Sequence, residues 1–198
     1  MTQGTLLAQA LLGYEPIVDR RRNAIAMRLS VDPVAGAAAA GGPNIAALYR
    51  ELSTHWVGSS GTIALKSSAS IDDELLEVEP AKTIWIEVPA AFAETGEGRA
   101  LLPRLREHGY TMVLGGRTRA PLAPELVPAF GMAIIHVDED RRLKAQAGVG
   151  QAASRPPPVD PRRSIPYVQE GIRTMATMDD CFATGAQAVI GWPMEDAL

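Results

Sequence analysis

Three acidic residues, Glu87, Asp138 and Glu170, lie in or directly after short apolar runs with the composition of buried strands. Carboxylates gathered from separate strand ends could hold a divalent cation, a chemistry that needs several hard oxygen ligands converging on one point. Three candidates are few for a pair of cations. The pair Gly115-Gly116 closes the apolar run Tyr110 to Leu114 and offers no side-chain ligand. Consecutive glycines could let backbone amides cradle an anion. A tight strand-to-loop turn is the simpler reading, because no G-x-G-x-x-G or Walker pattern surrounds them.

The elements that must position these residues follow from periodicity and punctuation. Tyr14 to Val18 and Ala24 to Ser30, separated by the polar Asp19 to Asn23, predict a hairpin. Pro43-Asn44 opens an apolar-periodic helix to about Leu52, Thr62 to Leu65 is a strand candidate, and a helical turn starts from Asp72. Thr83 to Val88 predicts a strand, Arg99 to His108 an amphipathic helix closed by Gly109, and Tyr110 to Leu114 a second buried strand. Met132 to Val137 predicts a third strand, ending at Asp138. Glu139 to Lys144 is strongly charged. Ser154 to Pro166 contains five prolines, too many lost amide donors for regular helix, so it is expected to be a loop exposing Arg155, Arg162 and Arg163. Tyr167 to Ile172 leads into a helix over Met178 to Thr184, stopped by Gly185, and Ala188 to Ile190 makes the last strand. Strands alternating with helices favour a (β/α) barrel, where residues just past the strand ends carry the chemistry.

Composition bounds the rest. The 198 residues, 46% of them apolar, suit one domain, with an N-terminal extension over residues 1–11 and the proline-rich loop over residues 154–166. A net charge of −4 provides no electrostatic footprint for a nucleic-acid polymer. The lone Cys181 excludes an intramolecular disulfide and a four-thiolate zinc site, so a cytoplasmic location is expected. Neither a signal peptide nor a membrane span is visible.

Several segments, in this order, resemble the EAL family of bacterial cyclic di-GMP phosphodiesterases, in the compact form found in front of HDOD domains. Tyr14 to Asp19 (Y-E-P-I-V-D) is similar to the family's Y-Q-P-I-V-D opening, Ile86-Glu87-Val88 to its I-E-I-L-E strand, and Gly109 to Leu114 to G-Y-R-L-A-L before D-D-F. Ile135 to Asp138 is similar to I-K-V-D, Glu170-Gly171-Ile172 to E-G-V-E, and Ile190-Gly191-Trp192 to Q-G-Y. The resemblance covers about Leu12 to Met194 and implies an α/β fold, a TIM-like (β/α)8 barrel of EAL type with an antiparallel first strand. An HDOD domain is not expected to follow, and output is expected to pass through another polypeptide.

The family's reaction, as the resemblance implies it, uses carboxylates to hold two cations that clamp the scissile phosphate. Carried over residue by residue, the match puts Arg28 at the signature glutamate and Lys66 near the metal-binding asparagine. It puts Ala90 at the downstream glutamate of the E-I-T-E strand, although a shifted register would make Glu87 that ligand. Gly115 and Gly116 replace the aspartate pair, His136 the lysine, and Ile190 the guanine-contacting glutamine. Glu170 survives.

These substitutions carry the expectation of a degenerate EAL domain without enzymatic activity, metal or cofactor, serving as a regulatory or protein-interaction module with an unidentified protein partner. A homodimer remains open. The alternative is a receptor that binds cyclic di-GMP or another phosphorylated ligand without hydrolysing it, using Arg28, Lys66, Arg117 and Glu170. An active phosphodiesterase would need Glu87, Asp138 and Glu170 to assemble a metal centre. His136 would point into the barrel mouth, His55 and His108 lack metal-ligand spacing, Trp85 is expected in the core, and Cys181 is expected to be inert. Glu170 is expected to pair with Arg28 or Lys66. Glu170→Ala should therefore lower the thermal midpoint, and an unchanged midpoint contradicts that pairing.

Overall fold

The polar turn after Asp19 folds the first two extended runs, β1 (Ala10–Asp19) and β2 (Ala24–Pro33), into the antiparallel hairpin anticipated from their spacing. The Asp19 carboxylate closes the turn by accepting from the Asn23 amide at 2.8 Å. The computed structural model describes residues 10–33, 44–56, 61–118, 121–148 and 161–194. In order, β2 is followed by α1 (Ile45–His55), β3 (Ile63–Ser67), β4 (Ile84–Pro89), α2 (Ala90–Ala93), α3 (Gly96–His108), β5 (Thr111–Gly115) and β6 (Phe130–His136). The chain continues through α4 (Val137–Gly148), β7 (Tyr167–Thr174), α5 (Met175–Ala183) and β8 (Ala188–Met194).

All eight strands close into one barrel in chain order. β1 runs antiparallel to both β2 and β8, and every other pairing is parallel. This is the mixed barrel with an antiparallel first strand that the sequence led us to expect.

Alternation along each strand divides the core in two. Ile17, Ala26, Ala64, Val113, Ile134, Val168, Ala188 and Ile190 fill the barrel interior, with Trp85 and Met132 packed against them. Their neighbours point outward into a larger apolar layer beneath the helices, which includes Ile63, Leu65, Ile86, Leu114 and Ile135. Helix ends fall where local chemistry dictates. Asn44 caps α1 by accepting from the Ala47 amide, Thr95 caps α3 through Gly98, and Thr174 caps α5 through Thr177. Gly109 ends α3 at φ +112°, a left-handed conformation that a β-carbon disfavours.

Two segments depart from expectation. The charged stretch after β6 is the start of α4, with exposed Asp138, half-buried Glu139 and buried Asp140 in its first turn, where acidic groups favour the helix dipole. Of the proline-rich loop, residues 154–160, including Arg155, lie outside the described residues, and Pro161–Ser164 forms a short 3-10 turn. Arg162 is not exposed as expected. It is 2% accessible and donates to the Gly116 carbonyl at 2.6 Å and to Glu139 at 2.9 Å, so backbone and carboxylate acceptors stabilise it inside.

Beneath α1 and α3, Tyr49 and Tyr110 meet edge to face at 5.2 Å, and the Tyr110 hydroxyl donates to the Leu75 and Val78 carbonyls. Burial, and secondarily Tyr49, raise the Tyr110 pKa; burial also raises that of Tyr49. A raised folded-state value means that the stabilisation is complete below the unfolded tyrosine pKa and is lost as pH rises beyond it. Unfolding free energy should therefore fall above about pH 10. Tyr110→Phe should flatten that fall, and an identical alkaline profile in the variant would exclude Tyr110 as a source.

Candidate functional site

Two residues beyond each interior side chain, in the direction of the parallel strands' carboxyl ends, strand alternation brings a polar or vacant position to the barrel mouth. Ala26 leads to Arg28 on β2, Ala64 to Lys66 on β3, Trp85 to Glu87 on β4, Val113 to Gly115 on β5, Ile134 to His136 on β6 and Val168 to Glu170 on β7. On antiparallel β1 the same step runs backwards, from Ile17 to Glu15, which stands opposite Arg28 in the ladder.

Arg28 organises this ring. Its side chain is 4% exposed and lies between Glu87, 7% exposed, and Glu170, 22% exposed. Nε and one terminal nitrogen donate in a fork to the two Glu87 oxygens at 2.7 and 2.6 Å. The other terminal nitrogen donates to Glu170 Oε2 at 2.5 Å and lies 3.5 Å from Glu15. Planar two-point pairing of this kind is specific to guanidinium and carboxylate. Burial alone would lower the Arg28 pKa; hydrogen bonding and charge from Glu87, then Glu170, outweigh it and raise the value above that of an ordinary guanidinium. Arg28 therefore stays charged at any pH at which the fold persists.

The expected Arg28–Glu170 pair is thus present. Glu87, whose register the sequence left open, faces the barrel interior, whereas Ala90 opens α2 and is buried in the outer layer. The carry-over that put Ala90 in the site is corrected on this point: alternation points Glu87 inward, and the chain leaves the strand at Pro89.

Gly115 has a steric role that the sequence did not disclose. A β-carbon there would lie 2.4 Å from Glu87 Oε1 and 2.7 Å from its Cγ, so the glycine makes room for the Glu87 side chain. Gly116 follows in the left-handed region at φ +80°, and its carbonyl accepts from Arg162. Both features match a tight strand-to-loop turn.

His136 reaches the mouth as expected, 40% exposed, with Nδ1 accepting from the Asp138 amide at 3.1 Å. Asp138 itself is 59% exposed in the first turn of α4 and pairs at 3.9 Å with Arg141, so it does not join Glu87 and Glu170. Among the described residues no group of three or more His, Cys, Asp or Glu is arranged to hold a metal ion. Lys66 and Arg117 are exposed. Ile190 is fully buried in the barrel interior, and Cys181 is on the buried face of α5. Trp85 packs against the interior cluster, as expected. Glu15 and Arg162 were missed as site residues. The two-residue step from Ile17 could have found Glu15; no signal in the sequence marked Arg162.

No protein-family model matches the sequence, and no curated protein is recognisably similar to it. Solved structures do match. The chain is similar to a PaMucR phosphodiesterase in complex with c-di-GMP, with 16% identity, 95% of this chain and 93% of that one covered, and a TM-score of 0.59. It is similar to a standalone EAL protein from Vibrio cholerae in its c-di-GMP-bound form, with 13% identity, coverage of 92% and 89%, and a TM-score of 0.57. It is also similar to the FimX EAL domain from Pseudomonas aeruginosa bound to c-di-GMP, with 12% identity, coverage of 93% and 88%, and a TM-score of 0.59. The chain has an EAL-type fold. The expectation that it is not an enzyme is corrected by the same finding, because the fold is shared with a phosphodiesterase and substituted ligands do not establish the loss of a reaction. No described helix is long and apolar enough to cross a membrane.

Removing one member of a buried ion pair leaves the other charged and desolvated. Arg28→Met should therefore lower unfolding free energy by about 3–5 kcal/mol, whereas Arg28→Met combined with Glu87→Leu should recover the share owed to Glu87, the more buried partner. Urea denaturation of the single and double variants measures this. Equal losses for the two would show that the pair is not the unit of stability.

Proposed function

We propose that this chain is a cytoplasmic regulatory or protein-interaction domain of bacterial cyclic di-GMP signalling. The observation that carries the reading is the engagement of Glu87 and Glu170 by the buried Arg28 guanidinium. Carboxylates held by a fixed organic cation form a finished ion-paired surface, and a divalent ion would have to displace a forked, desolvated guanidinium to reach them.

Exposed apolar side chains at the same end of the barrel support a protein partner. Tyr14 and Trp192 are 63% and 53% accessible and meet edge to face at 5.9 Å, with exposed Leu11 and Leu12 further along β1. Aromatic groups of this kind are favoured at the centres of protein interfaces. The partner is another polypeptide or a second copy of the chain.

A receptor for cyclic di-GMP or another phosphorylated ligand is the second reading. The exposed Lys66 and Arg117 favour it, together with the c-di-GMP carried by the similar structures. The surplus carboxylate charge of Glu15 and Glu170 beside Arg28 weighs against it.

Titration with cyclic di-GMP, with and without Mg2+ or Mn2+ and with product analysis, tests the proposal. The expected outcome is that any association is no tighter with metal than without it. Saturable, metal-independent binding would favour the receptor, and absence of binding the protein-interaction domain. Appearance of the linear dinucleotide would add catalysis to the domain's role and overturn the claim that Arg28 keeps a divalent ion from Glu87 and Glu170.

A further inference from the structure

β1 and β8 pair only where Ile17, Val18 and Asp19 stand opposite Ile190, Val189 and Ala188. Beyond Ile190, β8 follows β7: Gly191 and Met194 stand opposite Ile172 and Thr174, and a β-carbon at Gly191 would collide with the Ile172 carbonyl. β1 instead stays with β2 out to Ala10. From Ala10 to Pro16 the other edge of β1 therefore faces no strand among the described residues. A strand edge of this kind presents backbone N–H and C=O groups that a further strand can pair.

The side chains along this edge are apolar on both faces. Leu11 and Leu12, consecutive and so on opposite faces, are 64% and 52% exposed, and Tyr14, on the Leu12 face, is exposed as well. Ala10 to Tyr14 (A-L-L-G-Y) holds neither a charge nor a proline, the devices that keep strand edges apart. No charged side chain lies between Met1 and Tyr14, so two copies of a chain with net charge −4 can meet here without opposing like charges. The run is also complementary to itself. Antiparallel pairing about a two-fold axis at Leu12 sets Leu12 against the partner's Leu12, Tyr14 against the partner's Ala10 and Leu11 against the partner's Gly13. Away from the axis, each large side chain then has a small one opposite it on the same face. Trp192, edge-on to Tyr14 at 5.9 Å, adds apolar surface where the partner's Ala10 would rest.

We propose that this edge of β1 pairs with the same edge of a second copy, antiparallel and two-fold symmetric about Leu12, so that two barrels are joined through a continuous ribbon of β2, β1, the partner's β1 and the partner's β2. The proposal rests on the protein-interaction reading above and names its partner. A run this short buries less than the roughly 800 Å² per partner of a standard stable interface, so the dimer should be weak, with a dissociation constant on the order of 10 μM.

Sedimentation equilibrium of the full chain, over roughly 1 to 200 μM, should show a monomer passing to a dimer. Leu12→Lys and Leu12→Glu each set like charges across the axis and should weaken the dimer about tenfold or more, whereas their equimolar mixture sets opposite charges there and should regain it. Leu12 is half exposed, so both variants should keep the fold, which circular dichroism checks. Should either fail to fold, Leu12→Cys serves: under mild oxidation it should cross-link across the axis faster than Leu11→Cys, whose position faces the partner's Gly13. A monomer throughout the range, a dimer indifferent to Leu12→Lys and Leu12→Glu, a mixture no more associated than its components, or a cross-link no faster in Leu12→Cys than in Leu11→Cys would overturn the proposal and leave the edge to residues 1–9 or to a different polypeptide. The cyclic di-GMP titration is read separately: a monomer leaves the regulatory reading standing with another partner, and hydrolysis alters that reading without touching the pairing.

Discussion

A guanidinium buried to 4% exposure cannot exist in this barrel without compensation, and that constraint orders the mouth of the fold. Arg28 needs carboxylates on more than one edge. Glu87 supplies a two-oxygen fork from β4, Glu170 a single oxygen from β7, and Glu15 a more distant charge from β1. β4 and β7 do not neighbour β2, so the pairs to Glu87 and Glu170 tie the barrel across its opening in addition to the ladders around its wall, whereas Glu15 faces Arg28 within the β1–β2 ladder. Gly115 belongs to the same arrangement, since the Glu87 side chain occupies the space that a β-carbon at this position would need.

The interior below the ion pairs is filled by Ile17, Ala64, Val113, Ile134, Val168 and Ile190. The mouth therefore has a floor of apolar side chains and a rim on which Lys66, Arg117 and His136 meet solvent. The Arg28–Glu87 pair seated on such a floor is well shielded from water, which strengthens it and raises the cost of leaving either member alone. The same strand alternation gives the outer face its own chemistry, seen in the Gln169 and Asp140 pair, one residue away in sequence and one wall away in space.

Much of this was legible from residue order. The barrel, its antiparallel first strand and most element positions followed from period-two runs separated by capped helices, because Asn44, Gly109 and Gly185 punctuate the chain strongly. The Arg28–Glu170 pair was legible too, as opposite charges on strands of one mouth. The register of β4 was not. Ala90 and Glu87 differ by three positions, and only the end of the strand at Pro89 and the turn into α2 decide which faces inward. Arg162 was illegible for a different reason: its acceptors are backbone carbonyls and Glu139, partners that no side-chain pattern announces. The glycine at position 115 looked like a lost ligand when taken alone, whereas the space around it shows what it accommodates.

The central claim is that Arg28 holds the position between Glu87 and Glu170 against other cations. Nitrogen-edited proton NMR of the arginine side chains during Mg2+ titration tests it most directly. The account predicts a slowly exchanging Arg28 Nε proton, shifted by its carboxylate partner and unmoved as magnesium is added. Loss or large displacement of that signal on saturation with magnesium, with the fold intact, would contradict it.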